Sequence, residues 1–237
     1  MNRHLPRWAA AIAVCAALAC ASAALPGAPA QALLKPLPLT IAIIWIATSA
    51  RLVSASGQFD PKAQGLLLLA LVGSLAGDLF LLREDWFVPG LASFLVAHLA
   101  YIALFARGQR WLAWRGALAA TLALGAAVYA LLWQAHLPAP LRLPVAVYVT
   151  AIALMAAQAL SRARERGDRA SRAVALGACI FLCSDAILAT NRFVAPLPLA
   201  QLWVLLTYYG AQLLIACGMV AGAGVIAPQP RPPQAIG

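Results

Sequence analysis

The sequence predicts an all-α membrane protein, a bundle of eight transmembrane helices with both termini in the cytoplasm. Three observations carry that expectation. Of the 237 residues, 64% are hydrophobic and only 10% charged, against roughly a quarter charged in a soluble domain. Apolar runs of about twenty residues, long enough to cross ~30 Å of hydrocarbon as helices, take up most of the chain. The basic residues are distributed unevenly about those runs.

The runs lie at 8–25, 38–54, 64–82, 87–106, 111–134, 143–160, 171–190 and 199–222. They are too long and too rich in Ala and Leu for buried strands, and they lack the alternation of an outer-membrane barrel. The first follows Arg3 and Arg7 and ends in the A-x-A of Ala21, Ser22 and Ala23, so a signal peptide and a first span are both readable there. The second follows "LLKPLPL" (33–39). In the third, Gly73 and Gly77 make a G-x-x-x-G face that lets a neighbouring helix approach closely, and Ser74, one turn before Asp78, is placed to hydrogen-bond it. The fourth carries Phe94, His98, Tyr101 and Phe105 in one helical stripe. The fifth ends before the loop residue His136. The sixth contributes Tyr148 and the seventh Asp185, and the eighth aligns Gln201, Tyr208 and Gln212. Residues 1–226 are expected to form one transmembrane domain, and the Pro-rich stretch within 227–237 a disordered tail.

With eight spans, thirteen of the seventeen Lys and Arg residues fall on one side, among them Arg3, Arg7, Arg107, Arg115 and the cluster "SRARERGDRASR" (161–172). Only Lys35, Arg83, Arg142 and Arg192 fall on the other. That is the positive-inside bias, and it sets both termini in the cytoplasm. The net charge of +10 therefore points to anionic lipid headgroups rather than nucleic acid, for which no aromatic platform accompanies the cluster. The five cysteines all lie within apolar runs, and no disulfide is expected. Nothing in the sequence sets an oligomeric state.

Two acidic residues lie well inside the apolar runs. Asp78 is the one charge between Lys62 and Arg83, and Asp185 the one charge between Arg172 and Arg192. An Asp at the centre of a membrane helix costs about 3 kcal/mol, so two of them call for a use. They lie at similar depth and could face one cavity. Their surroundings, "GSLAGDLFLLREDWF" (73–87) and "CIFLCSDAILATNRF" (179–193), are alike enough to hint at an old duplication. No metal site is expected, because His98 is the one histidine within the spans; His4 and His136 fall in the tail and a loop. No nucleophile elbow or phosphate-binding glycine loop is present. Paired carboxylates with a histidine suit proton chemistry, in a hydrolase or in a proton-coupled transporter of lipids or small molecules, and the residues alone leave both open.

The ordered set "LLKPLPL", "GDLFLL" (77–82), "GLASFLVAHLAYIALF" (90–105), "YVTAIALM" (148–155), "LGACIFLCSDAILATNRF" (176–193) and "LTYYGAQLLIACG" (206–218) resembles the lysoplasmalogenase family of YhhN-like membrane proteins. The resemblance covers about 33–218. It implies an eight-span enzyme, in a bacterial inner membrane, that needs no cofactor. Its reaction would be hydrolysis of the vinyl ether of 1-alkenyl lysophospholipids to a fatty aldehyde and a glycerophospho-alcohol. By the same resemblance Asp78 and Asp185 are the catalytic carboxylates, while Lys35, His98, Tyr101, Asn191, Tyr208 and Gln212 bind substrate or support catalysis. The hydrocarbon chain is then expected between helices, with the headgroup meeting Lys35, Arg83 or Arg192 at the outer interface.

Overall fold

The computed structural model describes residues 5–23, 33–54 and 60–223, which contain eight α-helices and no strand. They are α1 (Leu5–Ala23), α2 (Leu37–Ser54), α3 (Pro61–Phe80), α4 (Phe87–Ala106), α5 (Arg115–Gln134), α6 (Ala139–Arg166), α7 (Arg169–Phe193) and α8 (Ala200–Ala223). Six of them, α3 to α8, are long and apolar enough to cross a membrane; α1 and α2 are apolar over the shorter segments Arg7–Ser22 and Leu37–Thr48. The Pro-rich tail lies outside the described residues.

Local chemistry sets the helix ends. Asp60 caps α3 through the Lys62 amide, with Pro61 in the first turn, where its missing N–H costs nothing. Gly167, at φ 68°, closes α6 in a left-handed conformation that its missing Cβ permits, and Asp168 at once caps α7 through the Ser171 amide at 2.6 Å. The α6–α7 link is therefore tight. Tyr148, nineteen residues before Gly167, and Asp185, eighteen after it, come to the same depth on adjacent helices.

Three boundaries differ by four residues or more from the hydropathy reading; one is the end of α6, which runs past 160 through Arg162 and Arg164 to Arg166. α5 begins at Arg115 rather than at 111 because α6 side chains take up the amides of the preceding loop. Glu165 accepts from Arg110, Gln158 from Leu112 and Ser161 from Trp114. α6 begins at Ala139 rather than at 143, since Pro140 lies in the first turn and Pro144 forfeits only one ladder bond near the helix end.

The helices close a ring in the order α1, α2, α3, α4, α6, α7, α8 and back to α1, with α5 packed outside on α6 and α7. Exposed tryptophans mark the two ends. Trp111 and Trp114 lie at the Arg-rich end, and Trp86, Trp133 and Trp203 at the other, as expected of residues at membrane–water boundaries. Within hydrocarbon, association relies on close packing, and glycines supply it. A Cβ on Gly73 would lie 3.1 Å from the Ser93 carbonyl oxygen of α4. One on Gly177 would lie 2.8 Å from the Ala211 carbonyl oxygen of α8.

Gly177→Ala should therefore push α7 from α8 and lower stability by about 1–3 kcal/mol. Gly65→Ala, with nothing within 4 Å of its Cβ, should be neutral or stabilising by up to ~1 kcal/mol. Thermal unfolding of the two variants in one detergent checks the difference.

Candidate active site

The ring gathers its polar side chains into one layer. On α7, Asp185 accepts a hydrogen bond at Oδ2 from the Tyr148 hydroxyl of α6, at 2.5 Å. His98 Nε2 of α4 lies 3.9 Å from the same oxygen, beyond hydrogen-bond reach. The imidazole is fully buried, its ring edge-on to Tyr148 and Phe181 with centroids 5.0 Å apart in each case. Ser184 donates to the Val204 carbonyl of α8 at 3.0 Å, which fixes the rotation of α7 next to Asp185.

The second carboxylate has a different partner. Lys35, just before α2, places Nζ 3.5 Å from Asp78 Oδ1 and donates to the Asp78 carbonyl at 3.3 Å. Tyr209 of α8 holds the lysine in turn, donating to its carbonyl at 2.7 Å. Tyr208 stands beside Asp78, its hydroxyl turned to the carboxylate. Deeper in the ring the Tyr101 hydroxyl donates to Gln212 Oε1 at 2.5 Å.

Asp185 and Tyr148 also open onto a cleft of about 70 Å³ between α4, α5, α6 and α7. Every other lining residue is Gly, Ala, Val, Leu, Ile or Phe, so the walls can hold hydrocarbon and little else. At its mouth the Arg192 guanidinium stacks on Phe87 at 4.2 Å. Phe94 lines the cleft and also packs against Gly77 and Tyr208, so the cleft wall adjoins the surroundings of Asp78.

Several polar atoms of the layer have no protein partner: Ser74 Oγ, Asp78 Oδ2, both ring nitrogens of His98, Tyr208 Oη and Gln212 Nε2. Each such atom in a membrane interior costs several kcal/mol unless something polar meets it. Toward the Arg-rich end the layer stops abruptly. Seven residues from Asp78, His98, Tyr148, Asp185 and Tyr208 lie Leu71, Phe105, Met155, Ala178 and Ile215, all fully buried. Seven residues are about two turns, so the same helix faces turn apolar within ~10 Å.

The structure brings Asp78, Asp185, Lys35, His98, Tyr101, Tyr208 and Gln212 to this layer, and Asn191 elsewhere. Asn191 accepts from the Leu197 amide at 2.9 Å and so fastens the α7–α8 loop. Lys35 is 7% exposed and paired with Asp78, not standing free at the headgroup level, because a buried carboxylate draws the nearest ammonium inward. Arg83 stacks on Trp86. Ser74 does not hydrogen-bond Asp78, and Gln201 is exposed, one side of α8 facing away from the ring. Tyr148, which the sequence marks only as a polar residue of the sixth run, proves to be the direct partner of Asp185. Among the described residues no three His, Cys, Asp or Glu side chains gather as a metal site, and all five cysteines are free.

These features define a polytopic membrane protein with an intramembrane carboxylate site beside an apolar cleft. The chain belongs to the YhhN family, whose model matches residues 30–219. It is 37% identical to the lysoplasmalogenase TMEM86B of Sus scrofa and 35% identical to that of Homo sapiens, in each case over 78% of this chain and 73% of the relative. It is 31% identical to a lysoplasmalogenase of Mycobacterium tuberculosis, over 76% of this chain and 70% of that protein. No solved structure gives a significant match.

Removing one member of a buried ion pair strands the other charge. Lys35→Met should destabilise the bundle by about 3–5 kcal/mol, and Lys35→Met with Asp78→Asn should recover most of that loss. Unfolding midpoints of the single and double variants in detergent check it.

Proposed function

We propose that this chain is a lysoplasmalogenase, a membrane-embedded hydrolase that cleaves the vinyl ether of 1-alkenyl lysophospholipids. The observation that carries the reading is Asp185, held by Tyr148 in an otherwise apolar cleft fit for a hydrocarbon chain. The names borne by its relatives support the same activity.

Vinyl ether cleavage needs a proton delivered to carbon. Asp185, which faces the cleft where the alkene would lie, acts as the acid and protonates the alkene carbon farther from oxygen. The tyrosine bond occupies Oδ2 and leaves Oδ1 to carry the proton. The resulting oxocarbenium ion is stabilised by negative charge nearby. Asp78, against the Lys35 ammonium, is the member suited to hold that charge and to take a proton from the attacking water. Water adds to the carbon bonded to oxygen, giving a hemiacetal. The hemiacetal breaks to the aldehyde and the glycerol hydroxyl, and the proton on Asp78 returns to Asp185 through the site. One water is consumed and no redox partner is needed.

In this reading the protein is one domain of eight spans in a bacterial inner membrane, with both termini cytoplasmic. The uneven placement of its arginines supports that orientation, and the packing of α1 against α2 and α8 supports its place among the spans. The site then faces the outer leaflet, and its partners are membrane lipids and the lysophospholipid substrate. Proton-coupled transport is the rival reading. The buried layer of Leu71, Phe105, Met155, Ala178 and Ile215, with α3 and α7 unbroken, offers no route onward from the carboxylates and favours the hydrolase.

Purified protein in detergent should release free aldehyde from 1-alkenyl lysophospholipid and no fatty acid from the 1-acyl analogue. Asp185→Asn should fold normally and Asp78→Asn, which leaves the Lys35 ammonium unpaired, should fold with reduced stability; each should lose at least ~100-fold in aldehyde release. No product from either lipid, together with uptake of substrate into vesicles, would favour the transporter.

A further inference from the structure

The apolar cleft and the polar layer adjoin at Asp185 and differ in character. Along α7 the cleft reaches from Leu182 to Phe193, so only three residues of it lie deeper than Asp185 and eight lie toward the mouth. That is ~12 Å of apolar slot above the carboxylate and ~5 Å below it. The long part of the slot suits the alkenyl chain.

The glycerol side of the ether then falls on the polar layer, where α3 and α8 carry buried polar atoms without hydrogen-bond partners. Gln212 is held by Tyr101 through Oε1, which leaves Nε2 a pure donor turned into the ring. Tyr208 offers a hydroxyl and Asp78 an acceptor at Oδ2; the two groups face each other, and neither has a partner elsewhere in the protein. All three residues are more than nine-tenths buried. A free alcohol, with one proton to give and two lone pairs to receive, complements this set. An ester oxygen in its place has no proton for Asp78. Phe105, stacked on Tyr101, and Ile215, three residues past Gln212, are fully buried and close that end of the layer to an acyl chain.

We infer that Tyr208 and Gln212 form a subsite for the free hydroxyl next to the ether-bearing carbon, and that this subsite selects the lysolipid over its acylated or deoxygenated counterparts. The inference rests on the hydrolase reading above and adds the residues that set its selectivity. A site built to hydrogen-bond a hydroxyl rejects an analogue lacking it strongly, because its own buried groups are then left unpaired.

The test compares kcat/KM for aldehyde release from three synthetic 1-alkenyl phospholipids that bear a hydroxyl, a hydrogen or an acyl ester at the neighbouring carbon. The full chain in detergent should prefer the hydroxyl form over the deoxy form by at least ~100-fold and release no aldehyde from the ester. Tyr208→Phe and Gln212→Leu should each shrink the hydroxyl-to-deoxy ratio by ~10-fold or more. The ratio is internal to each preparation, so partial misfolding of a variant does not alter it. Equal turnover of hydroxyl and deoxy forms by the unaltered protein, rapid turnover of the ester, or ratios unchanged in both variants would overturn the subsite while leaving the hydrolase standing. Absence of aldehyde from all three lipids would remove the hydrolase reading and the subsite with it.

Discussion

A carboxylate inside hydrocarbon must be matched, and the arrangement of this bundle follows from how two of them are matched. Asp78 is met by the Lys35 ammonium, which ties the segment before α2 to the end of α3. Tyr209 reaches across from α8 to hold that lysine. Asp185 is met by a phenol, which ties α7 to α6. Together these contacts link five of the seven ring helices at one depth. They leave one carboxylate beside a fixed positive charge and the other beside a neutral donor on an apolar cleft. Two identical side chains are thereby given different surroundings, the usual route by which one site holds both an acid and a base.

The glycines and the apolar layer hold that arrangement in position without adding charge. Gly73 and Gly177 let backbones approach where side chains would hold them apart. The buried residues two turns along each helix close the ring below the carboxylates. Toward the Arg-rich end the site is closed. Unpaired atoms on Ser74, Asp78, His98, Tyr208 and Gln212 give it polar character just where the cleft wall ends.

Much of this is legible in the sequence because membrane helices leave so little choice. Apolar runs give eight helices within a few residues of those observed, except where pairing with a distant segment decides or where, as at the Arg-rich end of α6, a helix runs on past its apolar part. The start of α5 depends on Gln158, Ser161 and Glu165, more than forty positions away, and hydropathy cannot register it. Asp78, Asp185 and His98 stand out by being polar where polarity is expensive. Their partners do not. Lys35 reads as an interfacial residue until the fold brings it to Asp78 across 43 positions, and Tyr148 reads as one tyrosine among several until it meets Asp185 across 37. Asn191 shows the converse. It is polar and close in sequence to Asp185, yet six residues turn it toward the loop.

The central claim is that a carboxylic acid delivers a proton to carbon at a buried vinyl ether, and isotopes of water test it without altering the protein. In heavy water the released aldehyde, reduced at once to prevent exchange, should carry one deuterium at the carbon next to the carbonyl; in oxygen-18 water the label should enter the aldehyde. Oxygen-18 in the glycerol hydroxyl would instead mean displacement at the glycerol carbon with release of an enol, and would contradict the role of Asp185 as the acid that protonates carbon.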